Sequence, residues 1–426
     1  MGIVQKIKDY GVVGSLKYAP TAVMHRIDDV LYYSAGKLSQ KLPIDENLVV
    51  LESEGDLSDN AYALYDYMRS AGYLDRYRVI WAVNDLDSAL QLKTSEPQRW
   101  PNTSFIKKLP YDSTPDEKKL GARVLSTCKW FIFDHGDLMA KLPKRDDQIV
   151  VYLSHGWGYK APKGSGLASD VMRWNLMTAT GPLAAKGLAD YWQYPLEKTV
   201  VTGYPRLDYL FEDDPFVSTK IDEAFHLSHY RKVVFWMPTF RKSVASTLSE
   251  DYIHNETGLP IFNTLDDLRS FSTFLKAKDI LLVFKLHHLQ AELPVFQEKF
   301  DNIIVVRDEE LHYLGLQLYQ FVRFADALIS DYSSIAIDYL VMDRPIVFTL
   351  DDYEQYAKSR GLFPENAIDY MPGYHVYDEA GLEDALSEVA DGIDRYKEER
   401  SAIVGQYHTY KDGGSSRRVL KAVGID

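Results

Sequence analysis

The sequence predicts an α/β protein built on parallel sheets, and three observations carry that expectation. Short apolar runs of buried-strand length recur along the chain, separated by stretches with helical spacing. One stretch, Ala327 to Phe348, holds a strand, a polar turn, a helix and a second strand in succession, the rhythm of a βαβ unit. The 426 residues, 46% hydrophobic, suffice for two domains with separate cores.

Composition removes several function classes. The formal charge is −14 and the pI about 5.3, which argues against a nucleic-acid binder that relies on a broad basic face. Any anion must be held by a local pocket. The single cysteine, Cys128, precedes the apolar run Trp130 to Phe133 and permits neither an intrachain disulfide nor a cysteine metal site. No window approaches the length of an apolar membrane span, and the N-terminus lacks the layout of a signal peptide. A cytoplasmic protein is expected.

Residues 1–45 stand apart. Val4, Ile7, Val12, Leu16, Val23, Ile27 and Leu31 belong to an apolar set interleaved with Lys6, Lys8, Lys17 and Arg26. Two short amphipathic helices are expected, of the kind that lies on a membrane surface. Packing on the neighbouring domain is the alternative, and Asp9, Asp28 and Asp29 count against a basic face.

The first α/β unit opens at Asn47 to Leu51, followed by a polar loop and an amphipathic helix through Arg69. Further strands are expected at Tyr77 to Val83, within Val124 to Phe133, and at Gln148 to Leu153. The last of these runs into Ser154-His155-Gly156-Trp157-Gly158-Tyr159-Lys160. A histidine at the carboxyl end of a buried strand lies where open α/β sheets bind ligands, and imidazole there serves as a general base near neutral pH. Lys160 offers a positive charge. A loop histidine with a structural hydrogen bond would read the same way, and His135 ends the preceding strand similarly. Val200 and Val201 lead to the turn Gly203-Tyr204-Pro205, after which Arg206 either holds a phosphate or pairs with Asp208. Residues 211–230 suit a linker and a helix.

The second domain begins at Val233 to Met237 and continues into Pro238-Thr239-Phe240-Arg241. Ile280 to Lys285 is the next strand and delivers Lys285, His287 and His288 at its end. Adjacent residues of an extended chain point to opposite sides, so one histidine at most faces a ligand. Ile303 to Val306 precedes the strand Ala327 to Ile329 and the turn Ser330-Asp331-Tyr332-Ser333-Ser334. Ser333 or Ser334 would cap the following helix, whose free amides and hydroxyls suit a phosphate. An ordinary helix cap has the same residues. Glu379 to Glu399 reads as a solvated helix pair, and Asp412 to Arg418 leads into a short terminal helix. Walker A, Gly-x-Gly-x-x-Gly, Gly-x-Ser-x-Gly and His-Glu-x-x-His motifs are all missing, and no metal box is found.

Taken in order, these stretches resemble the CDP-glycerol glycerophosphotransferase family, the polymerases and primases of teichoic acid and related capsule synthesis. Glu52-Ser53 with Ser58-Asp59-Asn60 is similar to the family's Glu-Ser and Ser-Asp-Asn opening. Ser154-His155-Gly156 with Lys160 is similar to Trp-His-Gly-Thr-Pro-Leu-Lys. Thr202-Gly203-Tyr204-Pro205-Arg206 with Asp208, and Pro238-Thr239-Phe240-Arg241, follow the family pattern. So do Ser330 to Ser334 with Asp338 and Arg344-Pro345, then Met371-Pro372-Gly373, and Asp412-Gly413 with Arg418. Trp157-Gly158 replaces Thr-Pro, and Ser154 replaces the leading Trp.

The resemblance implies a GT-B fold, two Rossmann-like domains facing a cleft. These would be an acceptor domain over 46–212 and a nucleotide-donor domain over 213–400, between the N-terminal segment and a terminal helix over 401–426. It implies that His155 is the general base, deprotonating an acceptor hydroxyl that attacks the β-phosphate of CDP-glycerol and releases CMP. His287 is the second catalytic candidate. Lys160, Arg206, Arg241, Lys285, Ser330, Asp331, Ser333, Ser334 and Arg418 are the substrate-binding candidates. No tightly bound cofactor is implied, only CDP-glycerol as donor substrate. The acceptor would be a lipid-linked glycan or polymer at the inner face of the plasma membrane, where the enzyme would be peripheral. The chain is shorter than the long polymerases, so a single or limited transfer is expected. CDP-ribitol as donor, a GT-B glycosyltransferase using a nucleotide sugar, and a non-catalytic polymer-binding module are the alternatives.

Overall fold

The computed structural model describes residues 23–108, 111, 113–161, 173–242 and 255–426. The chain divides into two compact units, one of Met1–Leu153, Ser169–Met177 and Val423–Asp426, the other of Ser154–Ala168 and Thr178–Ala422.

The first sheet contains β1 (Asp45–Glu52), β2 (Arg78–Val83), β3 (Thr103–Lys107), β4 (Cys128–Phe133), β5 (Ile149–Tyr152), β6 (Leu176–Ala179) and β7 (Thr199–Val201), in the order β3-β2-β1-β4-β5-β6-β7. The second contains β8 (Lys232–Trp236), β9 (Ile280–Phe284), β10 (Ile303–Val305), β11 (Ala327–Ser330), β12 (Ile346–Thr349) and β13 (Tyr374–Val376), in the order β10-β9-β8-β11-β12-β13. Pairing is parallel at the centre of both, with Leu51 opposite Ile132 and Trp236 opposite Ile329. Each sheet starts in its middle and winds outward in both directions. The reversals fall between β1 and β4 and between β8 and β11, the switch points at which open sheets hold ligands.

Central strands carry unbroken apolar runs because helices cover both faces. All five residues of β9 are buried, and burial of each large side chain contributes about 1.5–3 kcal/mol. Strands β3, β6 and β13 were not anticipated. β3 and β13 are sheet edges: Ser104 is exposed and His375 half-buried, so neither run reads as continuously apolar. β6 hides Thr178 among buried neighbours, which interrupts its apolar signal.

One expectation about the helices changes. The acidic segment from Glu379 is not solvated all round. In the helix Glu379–Ala390, Leu382, Ala385, Leu386 and Val389 recur at helical spacing and join the core of the second sheet. At the N-terminal end a helix spans 23–39, and the expected helix before it lies outside the described residues. Val23, Met24, Ile27, Val30, Leu31 and Leu38 are exposed on it. Asp28 and Asp29, which counted against a basic face, pair with Lys118 at 2.6 Å and Lys141 at 2.9 Å. Among the described residues no helix is long and apolar enough to cross a membrane.

Candidate active site

The switch point between β8 and β11 is built around Asp331, which is fully buried. Its carboxylate accepts hydrogen bonds from the Thr239 amide at 2.9 Å, the Thr239 hydroxyl at 2.7 Å, the Ser333 amide at 3.2 Å and Arg241 Nη1 at 2.5 Å. Arg241, 1% exposed, reaches in the other direction to Asp352, donating from Nε at 2.7 Å and Nη2 at 3.1 Å. The Tyr332 hydroxyl also donates to Asp352, at 3.0 Å, and the Ser330 hydroxyl donates to the carbonyl of Met237 at 2.8 Å. Of the residues expected to bind substrate, Ser330, Asp331 and Arg241 thus point inward and shape the turn. Ser333 and Ser334 remain half-buried at its surface. Ser333 takes the N-cap position, but its side chain makes no capping hydrogen bond.

The loop carrying His155 rests directly on this turn. Ser154 has φ +63° and is fully buried, a strained conformation for a residue other than glycine. Its hydroxyl accepts from the Gly156 amide at 3.2 Å and from the Tyr204 hydroxyl at 3.4 Å, which holds the strain. A Cβ on Gly156 would stand 2.5 Å from Arg206 Nη2 and 3.2 Å from Ser334 Oγ, and a Cβ on Gly158 2.4 Å from the Tyr332 carbonyl oxygen. The Tyr159 amide donates to that same carbonyl at 3.2 Å. Beyond it, exposed Lys160 bridges antiparallel to Leu362. His155 itself is exposed. The two departures from the family pattern are accommodated locally. Gly158 is required by the carbonyl of Tyr332. Trp157 packs against Phe363 at 4.9 Å and against Gly187, where a Cβ would come within 2.5 Å of the indole.

Arg206 does not pair with Asp208. Buried to 4% exposure, it donates from Nη1 to the carbonyl of His155 at 3.0 Å and from Nη2 to Asp338 at 2.6 Å. The Tyr319 hydroxyl donates to the same Asp338 oxygen. Asp208 instead accepts from the amides of Ser415 and Ser416, both at 2.8 Å, and so anchors the start of the helix Ser415–Val423. Burial raises the Asp208 pKa, and those amides offset part of the rise.

The remaining candidates lie farther along the strand ends. Lys285, 8% exposed, pairs with Asp308 at 2.9 Å. His287 stacks between Phe240 at 4.5 Å and His288 at 4.3 Å. The two histidines share a side because they begin the short helix His288–Ala291 and do not continue an extended strand. His287 Nδ1 accepts from the Leu289 amide at 3.3 Å, and burial, with the charges of His288 and Lys285, lowers its pKa. Arg418 clamps Asp412 with both terminal nitrogens at 2.9 Å and donates from Nε to the Thr202 carbonyl at 2.7 Å. Phe240 and Thr239 are chain neighbours, so a chain of contacts inside the second unit runs from His287 through buried Asp331 to Ser334 and Gly156.

The first sheet's switch point carries its own polar set. Buried Asp134 accepts from the amides of Glu54 at 3.0 Å and Ala61 at 2.9 Å, and buried Glu52 lies 3.3 Å from Lys108. His135, the other candidate base, is exposed and lies 3.2 Å from Glu54. Among the described residues no group of three or more His, Cys, Asp or Glu is placed to hold a metal ion. Three contributors escaped the sequence: Ser154 as the strained anchor, Asp338 and Tyr319 as partners of the Arg206 network. Asp338 stood in the quoted motif, four residues after Ser334 and so on the same helical face.

Two doubly wound parallel sheets, each with a polar turn at its switch point, are the architecture of a GT-B protein. The profile of the CDP-glycerol:poly(glycerophosphate) glycerophosphotransferase family matches residues 34–424. The chain belongs to that family and is a CDP-glycerol glycerophosphotransferase. It is 24% identical over 410 residues to the teichoic acid glycerol-phosphate transferase of Staphylococcus aureus, covering 92% of this chain and 96% of that one. It is 25% identical over 317 residues to the teichoic acid ribitol-phosphate primase of Bacillus spizizenii, covering 69% and 74%. The solved wall teichoic acid polymerase TagF superimposes with a TM-score of 0.71 at 20% identity, covering 96% of each chain.

Proposed function

We propose that this enzyme transfers glycerol phosphate from CDP-glycerol to a hydroxyl of a teichoic acid or related capsular polymer, with His155 as general base and CMP as the leaving group. The observation that carries the assignment is the seating of the His155 loop on the Ser333–Ser334 turn, with Gly158 in contact with the Tyr332 carbonyl. A base at that loop removes the acceptor proton as the oxygen attacks the β-phosphate, while CMP departs in line. Phosphoryl transfer of this kind needs little covalent help from the protein, so positioning and charge stabilisation dominate. Ser333 and Ser334 supply hydroxyls, and Ser334 its backbone amide, to the donor phosphates. Lys160, Lys285 and Arg418 supply positive charge, Ser330, Asp331, Arg206 and Arg241 hold the loops that present these groups, and His287 is the second catalytic side chain. The donor belongs to the domain over 213–400 and the acceptor to that over 46–212.

The membrane reading rests on the helix 23–39, whose apolar side chains are exposed while its two aspartates are neutralised by Lys118 and Lys141. That face suits the inner surface of the plasma membrane and would bring the enzyme to a lipid-linked acceptor. Co-sedimentation with anionic vesicles checks it, and Ile27→Glu with Leu31→Glu should abolish binding.

A second reading is favoured by the ribitol-phosphate enzymes among the relatives: the same machinery acting on CDP-ribitol. Purified enzyme with a membrane extract should release CMP from CDP-glycerol, and His155→Ala should abolish release. CMP release from CDP-ribitol alone would establish the second reading, and a nucleoside diphosphate released from a sugar donor would overturn both.

A further inference from the structure

Arg206 follows the turn Gly203-Tyr204-Pro205, and its guanidinium is buried and joined to protein atoms through both terminal nitrogens. One terminal nitrogen donates to the backbone carbonyl of His155 and the other to Asp338 on the helix Ser334–Tyr339. Its planar face lies 4.9 Å from the ring of Tyr319, whose hydroxyl shares the Asp338 carboxylate. The ring of Tyr204 lies 5.4 Å from the guanidinium as well, and Gly156 is so close that even a methyl group there would collide with Nη2. The neighbouring Ser154 is in the left-handed region, so the orientation of His155 depends on what holds its carbonyl.

We propose that Arg206 is a positioning residue: braced by Asp338 and Tyr319, it fixes the His155 carbonyl and thereby aims the imidazole, without touching the donor. The fork of a guanidinium is needed because the two acceptors lie in different directions, and a lysine ammonium cannot span both with the same planar geometry. The carboxylate that sets the fork sits on the helix that begins at Ser334. Movement of the phosphate turn is thus transmitted to the base through one side chain. The inference rests on His155 being the base.

The test measures kcat and KM for CDP-glycerol, with thermal melts, on wild type, Arg206→Lys, Arg206→Met, Arg206→Met with Asp338→Asn, and His155→Ala. Misplacement of a reacting group by about 1 Å costs about 100-fold in rate. Arg206→Lys should lower kcat about 10–100-fold with KM within about threefold. Arg206→Met leaves Asp338 buried and unpaired and should lower the melting temperature. Replacing Asp338 by Asn as well should restore the melting temperature while kcat stays low, which a purely stabilising role would not produce. Recovery of kcat along with stability in the double variant overturns the proposal. A raised KM at unchanged kcat in Arg206→Lys also overturns it and makes Arg206 a donor contact. If His155→Ala is inactive and Arg206→Lys is normal, the positioning role alone fails. If His155→Ala keeps wild-type kcat, the assignment of the base fails, and the positioning role with it.

Discussion

Gly158 lies against Tyr332 so closely that a Cβ at position 158 would come within 2.4 Å of the Tyr332 carbonyl oxygen and 2.9 Å of the Ser334 amide. The loop bearing the proposed base and the turn proposed to hold the donor phosphates are therefore in backbone contact. Gly158→Ala should push them apart, at a cost of about 1–3 kcal/mol for the overpacked methyl. If the displaced groups act together in phosphoryl transfer as proposed, kcat should fall about 10–100-fold. Paired melting and CMP-release measurements check both numbers, and an unchanged kcat would show that the contact is incidental.

Arg241 joins two buried carboxylates, Asp331 and Asp352, with one guanidinium. Arg241→Ala would leave both uncompensated and should cost about 3–5 kcal/mol. Arg241→Lys keeps the charge but loses the bidentate clamp on Asp352 and should cost about 1.5–3 kcal/mol. Chemical denaturation of the two variants, analysed with a common m value, gives the ordering. Equal losses would mean that charge and not geometry holds the turn.

Much of this architecture is legible in the sequence because it is local. The stretch Ala327 to Phe348 reads as strand, turn, helix and strand, and all four are present. Central strands read well because both faces are buried, whereas the edge strands β3 and β13 alternate with exposed or half-exposed residues and do not. The site is less legible because its decisive pairs are distant. From sequence, Asp208 is one of two alternatives for Arg206, a phosphate being the other, while Asp338, with which it pairs, is 132 residues on. The family resemblance also implies that Arg241 binds substrate. Only the fold shows that Asp331 and Asp352 close around it. The positive φ of Ser154 has no sequence signature, since serine is not a residue chosen for that conformation.

His408 gives the fold a pH dependence of definite sign. It is buried, with Nε2 2.8 Å from the carbonyl of Ile337, and burial holds its pKa below the ordinary 6.5. The folded state resists the proton that the unfolded chain accepts. Stability from this group is therefore complete above about pH 6.5 and is lost as pH falls below that value. Melting temperatures between pH 5 and pH 8 should decline on the acid side. In His408→Gln, which keeps a donor for Ile337 but cannot titrate, that decline should be shallower. An identical slope in both proteins would assign the acid sensitivity to other groups.

Trp157 and Gly187 form a matched pair, since the indole fills the space that a side chain at position 187 would take, with its ring atoms within 2.5–2.7 Å of a Cβ built there. Gly187→Ala should destabilise by about 1–3 kcal/mol through overpacking. Trp157→Phe removes part of the indole at that wall and should cost about 1–3 kcal/mol through the cavity left behind. Combined, the two should cost less than their sum by at least about 0.5 kcal/mol, because the smaller ring gives the new methyl room. A double-mutant cycle on unfolding free energies measures that difference. Coupling of the expected sign would establish that helix Pro182–Trp192 forms the wall against which the His155 loop is set. Strict additivity would mean that the indole relocates when crowded, and then the loop owes its position to its other contacts, those with Tyr332, Leu362 and Arg206 among them.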